Sequence, residues 1–390
     1  MNLFNRSKKR NSDKAQSRTL SRMEAGVDRY FLLIVFLLIV SGLIIFSSAT
    51  LMLVGTAKYD AVRFNQYGLG FIGGLGLLLL AYRIPVLFFR KSAFYIYVGA
   101  VILMLLVFVP GLGVFHGGAH RWISLFNFQF QPAEVYKLAA VLYMGVWLGR
   151  DFGKKLEAKD NFYRRTVPLL VLIGISGILF LLQRDTDTFT VTALSMVGMY
   201  ILSGGNWRDV WGIGALGAIA LVILIFSRPY VMQRVQTFLN PSLDPSGSGY
   251  QIQQTLIAIG SGGAFGRGYG QSIQKFKYLP EPIGDSVFAV AAEEFGFVGT
   301  CILVFLYLAF VLRGLRMATQ SSSYGSLIIG GILFLITVQS FLNITAMLAI
   351  VPLSGMPLIF ISHGGTALCM ALFSVGIMLS ASREKKLSIR

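Results

Sequence analysis

The sequence predicts an all-α integral membrane protein with ten transmembrane helices and a large outer loop between helices 7 and 8. Of the 390 residues, 55% are hydrophobic and 13% are charged, whereas about 25% of residues are charged in soluble proteins. Apolar segments of about 20 residues, the length that spans a bilayer, recur along the chain. Lys and Arg cluster between these segments in a pattern that fits one orientation in the membrane.

The predicted membrane domain covers residues 30–382. Its ten apolar segments lie near 30–54, 66–88, 93–115, 133–149, 166–182, 189–204, 209–227, 286–312, 325–347 and 363–381. The outer loop is 228–285. Residues 1–29 are predicted to be a disordered, basic cytoplasmic tail, because they lack apolar periodicity, and residues 383–390 a cytoplasmic C-terminal tail. The apolar segment 348–365 contains two prolines and three glycines, so we expect it to break rather than span smoothly.

The net charge of +17 is explained by topology. With the N-terminus in the cytoplasm, 24 of the 34 Lys and Arg residues lie in the two tails and the cytoplasmic loops. Cytoplasmic loops of membrane proteins collect these residues. The excess of positive charge therefore does not predict a nucleic-acid partner.

One predicted span carries two ionisable residues in an otherwise apolar helix. Pro132 suits the first turn of a helix, which places Glu134 and Lys137 three residues apart on one face, at ion-pair spacing. Ionisable groups inside a membrane are costly and typically functional. One interpretation is a structural salt bridge that braces the bundle. The other is a cavity in which Lys137 and the preceding Arg121 bind an anion such as a phosphate.

The polar turn 183–188, with the sequence QRDTDT, separates two apolar segments. Its carboxylates could cap the helix that follows. The alternative is that a carboxylate of this turn, Asp185 among them, holds a basic side chain or a metal ion near the site.

The outer loop has an amphipathic part and a glycine-rich part. Ile252, Leu256 and Ile259 recur at helical spacing, which predicts a short helix over 250–259 that lies at the membrane interface. Residues 260–270 include six glycines, where the backbone can approach a ligand closely. Five basic residues accompany three acids in 228–285, a balance that suits an anionic ligand or a lipid surface.

Asp285 is the acid we single out at the end of this loop. It precedes a long apolar helix, so its carboxylate could cap that helix. The alternative is a general base at the mouth of the membrane domain. Glu293 lies about 12 Å deeper and roughly 80° around the helix, and Glu294 is about 180° around. We therefore expect Glu293 and Glu294 to face the bundle and pair with buried Lys or Arg, rather than to form a carboxylate pair with Asp285.

The other potential metal ligands are dispersed. His116, His120 and His363 do not form a ligand pattern, and Cys301 and Cys369 both lie in apolar segments as free thiols. No resident metal site is predicted from these residues.

Five motifs in order make the chain resemble the SEDS (shape, elongation, division and sporulation) family of peptidoglycan polymerases, which includes RodA and FtsW. The motifs are GAHRWI at 118–123, QPAEVYKL at 131–138, the loop GSGYQIQQTLIAIGSGGAFGRG with QKFKYLPE, GDSVFAVAAEEFGFVG, and PLSGMPLIFISHGG at 352–365. The resemblance extends from about residue 30 to 382. Asn343-Ile344 and the form QKFKYLPEPIGDSVFAV are more similar to the FtsW branch.

The resemblance implies a ten-span glycosyltransferase that polymerises lipid II at the outer face of the bacterial cytoplasmic membrane during septal cell-wall synthesis. The family's essential acid, which we expect to act as general base, falls on Asp285. Its other charged cavity residues fall on Arg121, Glu134, Lys137, Asp185, Arg63 and Arg234. A divalent cation, Mg²⁺ or Mn²⁺, could assist. The expected partners are a class B penicillin-binding protein transpeptidase and other division-complex proteins.

Two alternatives accompany this interpretation. A RodA-like branch would place the same polymerase in the elongation machinery. A transporter could use the intramembrane charges to flip lipid II across the membrane. A scaffolding role in a division complex is compatible with the enzyme.

Overall fold

Long helices make up most of the chain in a computed structural model that describes residues 28–116, 119–125 and 128–384. The two predicted tails, 1–29 and 383–390, lie largely outside these residues. In chain order the α-helices are α1 (Arg29–Ala49), α2 (Tyr59–Arg63), α3 (Gly74–Arg83), α4 (Val86–Leu106), α5 (Pro132–Gly149), α6 (Ala158–Asn161), α7 (Val167–Leu182), α8 (Thr186–Leu202), α9 (Trp207–Ser227), α10 (Pro229–Leu239), α11 (Ser248–Ser261), α12 (Gln274–Lys277), α13 (Val287–Gln320), α14 (Ser323–Met347) and α15 (Gly365–Arg383).

Short non-α stretches extend several of these helices. A 3₁₀ turn over Thr50–Leu53 extends α1, and another over Pro241–Leu243 follows α10. A π-helical stretch, Phe64–Gly73, joins α2 to α3, and a second, Phe162–Thr166, joins α6 to α7. The joined pairs are therefore continuous rods, each 25 residues long.

Eight of these rods are long and apolar enough to cross a membrane: α1 with its 3₁₀ turn, α2–α3, α4, α6–α7, α9, α13, α14 and α15. The two other predicted spans also form helices, α5 with 18 residues and α8 with 17. The protein is therefore an integral membrane protein dominated by helices, with eight candidate spans among the described residues.

The core of the bundle surrounds α14. Most of its residues are buried, and it packs against α13, α8, α5 and α15. By contrast, α9 has no buried residue. Its apolar side chains face outward, as they do in a helix surrounded by lipid.

The all-α class describes the bundle, and one short sheet that was not predicted adds to it. Between α4 and α5 the chain forms an antiparallel sheet of strands β1 (Gly113–His116), β2 (Ala119–Leu125) and β3 (Phe128–Phe130), in the order β1-β2-β3. Aromatic and β-branched residues such as Trp122 and Ile123 favour strands. The sheet carries Arg121 beside the polar turn after α7.

The segment 348–364 contains no helix, as its prolines and glycines predict. Side-chain amides of α14 donate hydrogen bonds to the backbone carbonyls of this segment. Gln339 Nε2 donates to Pro357 O at 3.2 Å, and Asn343 Nδ2 donates to Met356 O at 2.7 Å. These bonds satisfy polar backbone that lipid could not hydrate.

Candidate active site

Asp285 is fixed by α14 and is not a helix cap. The following helix α13 has Ser286 at its N-cap position, and no side chain caps it. The N-cap interpretation of Asp285 is therefore wrong. Instead, the Asp285 carbonyl oxygen accepts a hydrogen bond from Asn343 Nδ2 at 2.8 Å. The same amide holds Met356 O, so one side chain joins Asp285 to the 348–364 segment.

The carboxyl group of Asp285 has few partners. Its Oδ2 accepts one hydrogen bond, from Gln251 Nε2 of α11 at 3.3 Å. Its Oδ1 is buried and has no hydrogen-bond partner, and none of the ion pairs between described residues includes Asp285. Burial raises the pKa of Asp285 to about 6; the Gln251 amide opposes this rise and the Glu281 carboxylate adds to it. A carboxylate with this pKa is ionised at neutral pH yet basic enough to accept a proton.

The predicted ion pair between Glu134 and Lys137 forms inside α5, with Lys137 Nζ 2.8 Å from Glu134 Oε1. Both side chains are buried. The ammonium also donates to Gln339 Oε1 of α14 at 2.7 Å. Gln339 is one helical turn from Asn343, so a row of polar side chains leads from the ion pair along α14 to the backbone of Asp285. Gln339 was not among the predicted site residues, because an uncharged amide in an apolar helix is not distinguished by the sequence pattern.

A second group of charges surrounds the turn between α7 and α8. Asp185 caps α8, since its Oδ1 accepts from Thr188 N at 3.3 Å, while its buried Oδ2 has no hydrogen-bond partner. The basic side chain that we expected at this turn is Arg234 of α10, but its partner is Asp187, at 2.7 Å. Arg121 donates to the backbone carbonyls of Gln183 and Arg184.

Asp187 was not among the predicted site residues. Its position two residues after Asp185 in the QRDTDT turn was visible in the sequence. No local pattern distinguishes Asp185 from Asp187 as the partner of a basic side chain, because the choice depends on where α10 places Arg234. Asp185, Arg121 and Arg234 all act electrostatically on Asp187, so the structure brings these four charges together.

The remaining predicted residues lie elsewhere. Arg63 is exposed and lies over the rings of Tyr59 and Tyr67, with its guanidinium carbon 5.1 and 5.7 Å from the ring centroids. Glu293 and Glu294 are buried and contact the loop 228–285 through Arg267 and Lys275. Neither glutamate contacts Asp285 in the described hydrogen-bond network, in agreement with their different directions on the helix.

Among the described residues, no three His, Cys, Asp or Glu side chains lie together as ligands of a metal ion. Magnesium often binds through one or two carboxylates together with phosphates of the substrate. The unpartnered Oδ2 of Asp185 would fit that kind of ion, which a phosphate-bearing substrate would help to hold.

Comparison with known proteins identifies relatives over nearly the whole chain. Residues 28–387 match the family model FTSW_RODA_SPOVE, described as "Cell cycle protein". Stage V sporulation protein E of Bacillus subtilis is 34% identical over 370 residues, which cover 94% of this chain and 100% of that protein. The probable peptidoglycan glycosyltransferase FtsW of Geobacter sulfurreducens is 33% identical over 365 residues, 92% of this chain and 97% of that protein.

Solved structures share the fold. One chain, from work described as "Structural coordination of polymerization and crosslinking by a peptidoglycan synthase complex", has a TM-score of 0.76 at 24% identity and covers 93% of this chain and 100% of that one. The rod shape determining protein RodA of Thermus thermophilus has a TM-score of 0.65 at 23% identity, covering 94% and 99%. At these identities the similarity shows the architecture alone.

Proposed function

The chain belongs to the cell cycle protein family of FtsW, RodA and SpoVE, and from that membership we propose that it is a peptidoglycan glycosyltransferase. It polymerises lipid II, a disaccharide-peptide on a polyprenyl pyrophosphate, into glycan strands. The observation that carries the proposal for this chain's own residues is the buried, nearly unpartnered carboxyl group of Asp285. Its relatives named as probable peptidoglycan glycosyltransferases support the reaction class.

The proposed topology has ten spans, with α5 and α8 crossing the membrane beside the eight more apolar rods. Both termini are cytoplasmic, and residues 228–285 lie on the outer side, which the distribution of Lys and Arg supports. This orientation places Asp285 at the outer face of the cytoplasmic membrane, where lipid II is consumed.

In the proposed reaction a sugar hydroxyl attacks the anomeric carbon of the neighbouring lipid-linked sugar. A new C–O bond forms as the bond to pyrophosphate breaks, and the pyrophosphate leaves with the electron pair. Asp285 accepts the proton of the attacking hydroxyl, because an uncharged hydroxyl is a weak nucleophile. A single displacement inverts the anomeric centre, as in inverting sugar chemistry.

The leaving pyrophosphate gains negative charge, which preorganised cations stabilise. Of the predicted cations, Lys137 and Arg234 are each paired with a carboxylate, whereas the partners of Arg121 are carbonyl oxygens. Arg121 has no carboxylate at ion-pair distance among the described residues and is therefore the strongest candidate to contact a phosphate. Lys137 and Arg234 also stabilise the negative charge, from positions that their ion pairs fix. The exposed Arg63 contacts the substrate at the outer edge of the site.

We assign the septal role to this chain, because many relatives of similar identity carry the name FtsW. A class B penicillin-binding protein is the proposed partner, together with other division proteins. The solved complex that combines polymerisation with crosslinking supports a partner of this kind. A RodA-like role in elongation is the alternative placement of the same reaction.

The test is polymerisation of lipid II by purified protein in detergent, with and without the transpeptidase. No translocation is needed in detergent, so glycan strands on a gel report transfer alone. We expect strands from the wild type and none from Asp285→Asn. The matched control is Asp60→Asn, which changes an exposed acid of α2 and leaves synthesis intact. Lipid II movement in vesicles without any polymer in detergent would favour the flippase instead.

A further inference from the structure

The helix that follows Asp285 is broken, and the outer loop completes it. Gly296 of α13 has a φ of +67°, which interrupts the helical hydrogen bonding. The carbonyls just before the break and the N–H groups just after it are bonded by the loop. The four bonds are Arg267 N to Glu293 O (2.9 Å), Gly268 N to Glu294 O (3.0 Å), Phe297 N to Gly263 O (2.9 Å) and Val298 N to Ala264 O (3.0 Å).

These four hydrogen bonds require the backbone of the loop to lie in direct contact with the backbone of α13. A Cβ atom at Gly296 would collide with the backbone of Gly266, and a Cβ atom at Gly266 would collide with the carbonyl of Glu294. Both glycines also have φ values, +67° and +81°, that side-chain-bearing residues rarely adopt. Residues 263–268 of the glycine-rich loop therefore bind the protein's own helix α13.

Buried charges reinforce the same contact. Lys275 Nζ lies 2.6 Å from Glu294 Oε1, and both side chains are 0% exposed. Ser48 of α1 donates to the same carboxylate oxygen at 2.6 Å and accepts from Lys275 Nζ at 2.9 Å. The adjacent Glu293 accepts three hydrogen bonds from the loop, donated by Ser272 Oγ (2.6 Å), Ile273 N (3.0 Å) and Gln274 N (3.3 Å).

We propose that Lys275 and Glu294 are positioning residues for Asp285. They belong to a clasp, which we define as the loop residues 263–277 seated on residues 293–298 of α13 together with Ser48. The clasp fixes one end of the short helical section 287–295, and Asp285 lies just before its other end, about 13 Å away. The inference rests on the proposed function, since it concerns the same base.

The loop reaches Asp285 from both directions. Its helix α11, which precedes the clasp, supplies Gln251, the one side chain that donates to the Asp285 carboxyl group. Its later part holds the section 287–295 through Glu293 and Glu294. A shift of the clasp would therefore move Asp285 relative to Gln251 and admit water to the buried carboxyl group. Displacement of a reacting group by about 1 Å costs on the order of 100-fold in rate.

The test removes both charges together, because a single change leaves an unpaired charge buried. In Lys275→Met with Glu294→Gln we expect kcat for lipid II polymerisation to fall on the order of 100-fold, with an unchanged KM. The acidic limb of the pH profile, expected near the Asp285 pKa of about 6, should move to lower pH as the carboxyl group gains water. Glu281 and Gln251, the side chains that act on the pKa of Asp285, are untouched.

The matched control neutralises an ion pair at the other end of the same helix. Arg313 of α13 pairs with Asp28 at 2.7 Å, and Arg313→Met with Asp28→Asn should leave kcat and the pH limb unchanged. Lys275→Arg keeps the charge and should retain most of the activity. Ser48→Ala removes the bridging hydroxyl without burying a charge, and should shift both readouts in the same direction by less, even if the double variant fails to fold.

Hydrogen exchange separates this inference from the proposed function. In the Lys275→Met, Glu294→Gln variant, backbone amides of both 263–277 and 285–295 should exchange faster than in the wild type. In the Arg313→Met, Asp28→Asn control, the exchange rates of both segments should be unchanged. Faster exchange confined to 263–277, with wild-type kcat and pH limb, would overturn the positioning role. Absence of polymer from the wild type would refute the proposed function, and the exchange of 285–295 would still decide whether the clasp holds that section.

Discussion

Asp285 and the pair Glu293–Glu294 lie within ten residues of one another, yet the fold treats them in opposite ways. Each glutamate accepts several hydrogen bonds and an ion-pair contact with a cation. Asp285 accepts one long side-chain bond, and no ion pair between described residues includes it. Asp285 Oδ1 and Glu294 Oε2 are both buried without a hydrogen-bond partner, so the paired cation is what differs between the acids. A carboxylate that is paired with a cation is held in place, whereas a desolvated carboxylate without a cation takes up a proton readily. The difference distinguishes the proposed base from the acids that we propose position it.

The largest effect on stability is expected at the buried ion pair between Lys275 and Glu294. Lys275→Met would leave Glu294 charged and buried without its cation, which costs about 3–5 kcal/mol. Adding Glu294→Gln should recover most of that loss, because no unpaired charge remains. Unfolding in detergent with the two single variants and the double variant measures this coupling. If Lys275→Met were as stable as the wild type, Glu294 would not depend on its cation, and the proposed difference between Glu294 and Asp285 would be wrong.

A smaller effect of opposite sign is expected at Asp285. Its folded pKa is about 6 against an ordinary value of 3.8, so ionisation of the folded protein costs free energy above pH 6. Asp285→Asn should therefore stabilise the protein at pH 7, by on the order of 2 kcal/mol. The gain should shrink as the pH falls through 6 and vanish below about 4, where aspartic acid is neutral in both states.

The pH dependence of activity should respond to Gln251, the one side chain that donates to the Asp285 carboxyl group. Wild-type polymerisation should fall as the pH is lowered through about 6, because the base becomes protonated. Gln251→Leu removes the bond that favours the charged form, so the limb should move to higher pH. Gln253→Leu changes an exposed neighbour on the same helix and should leave the limb in place. If Gln251→Leu left the acidic limb in place, the limb would report the titration of a group other than Asp285.

The smallest effect is expected from Glu281, an exposed acid whose charge raises the pKa of Asp285. Glu281→Gln should move the acidic limb to lower pH by a fraction of a pH unit, opposite to Gln251→Leu. Salt screens interactions between exposed charges, so the difference from the wild type should disappear at high ionic strength. A shift that persists in high salt would point to a structural cause.

Features encoded locally were predictable from the sequence. Apolar length located every long helix, and the spacing of Ile252, Leu256 and Ile259 predicted a helix that the structure extends to Ser248–Ser261. The spacing of Glu134 and Lys137 gave the ion pair that forms. Prolines and glycines predicted the break at 348–364. Each of these depends on neighbours within one or two helical turns.

Features that depend on distant pairing were not predictable in the same way. Lys275 meets Glu294 across 19 residues and Ser48 across 227, and no local pattern specifies such partners. The sheet of 113–130 was missed because strand pairing, rather than periodicity, defines it. The role of Asp187 depended on the placement of α10. Ser286, not Asp285, occupies the cap position, because the helix begins two residues after Asp285.

The most direct test of the account is the residual polymerisation rate of Asp285→Asn, measured across pH on protein shown to be folded in the same sample. The account predicts a rate lower by about 10²–10⁴-fold, without the acidic limb near pH 6, and a stability equal to or above that of the wild type. Wild-type rates with the limb still present would contradict it, because the proton acceptor would then be a different group.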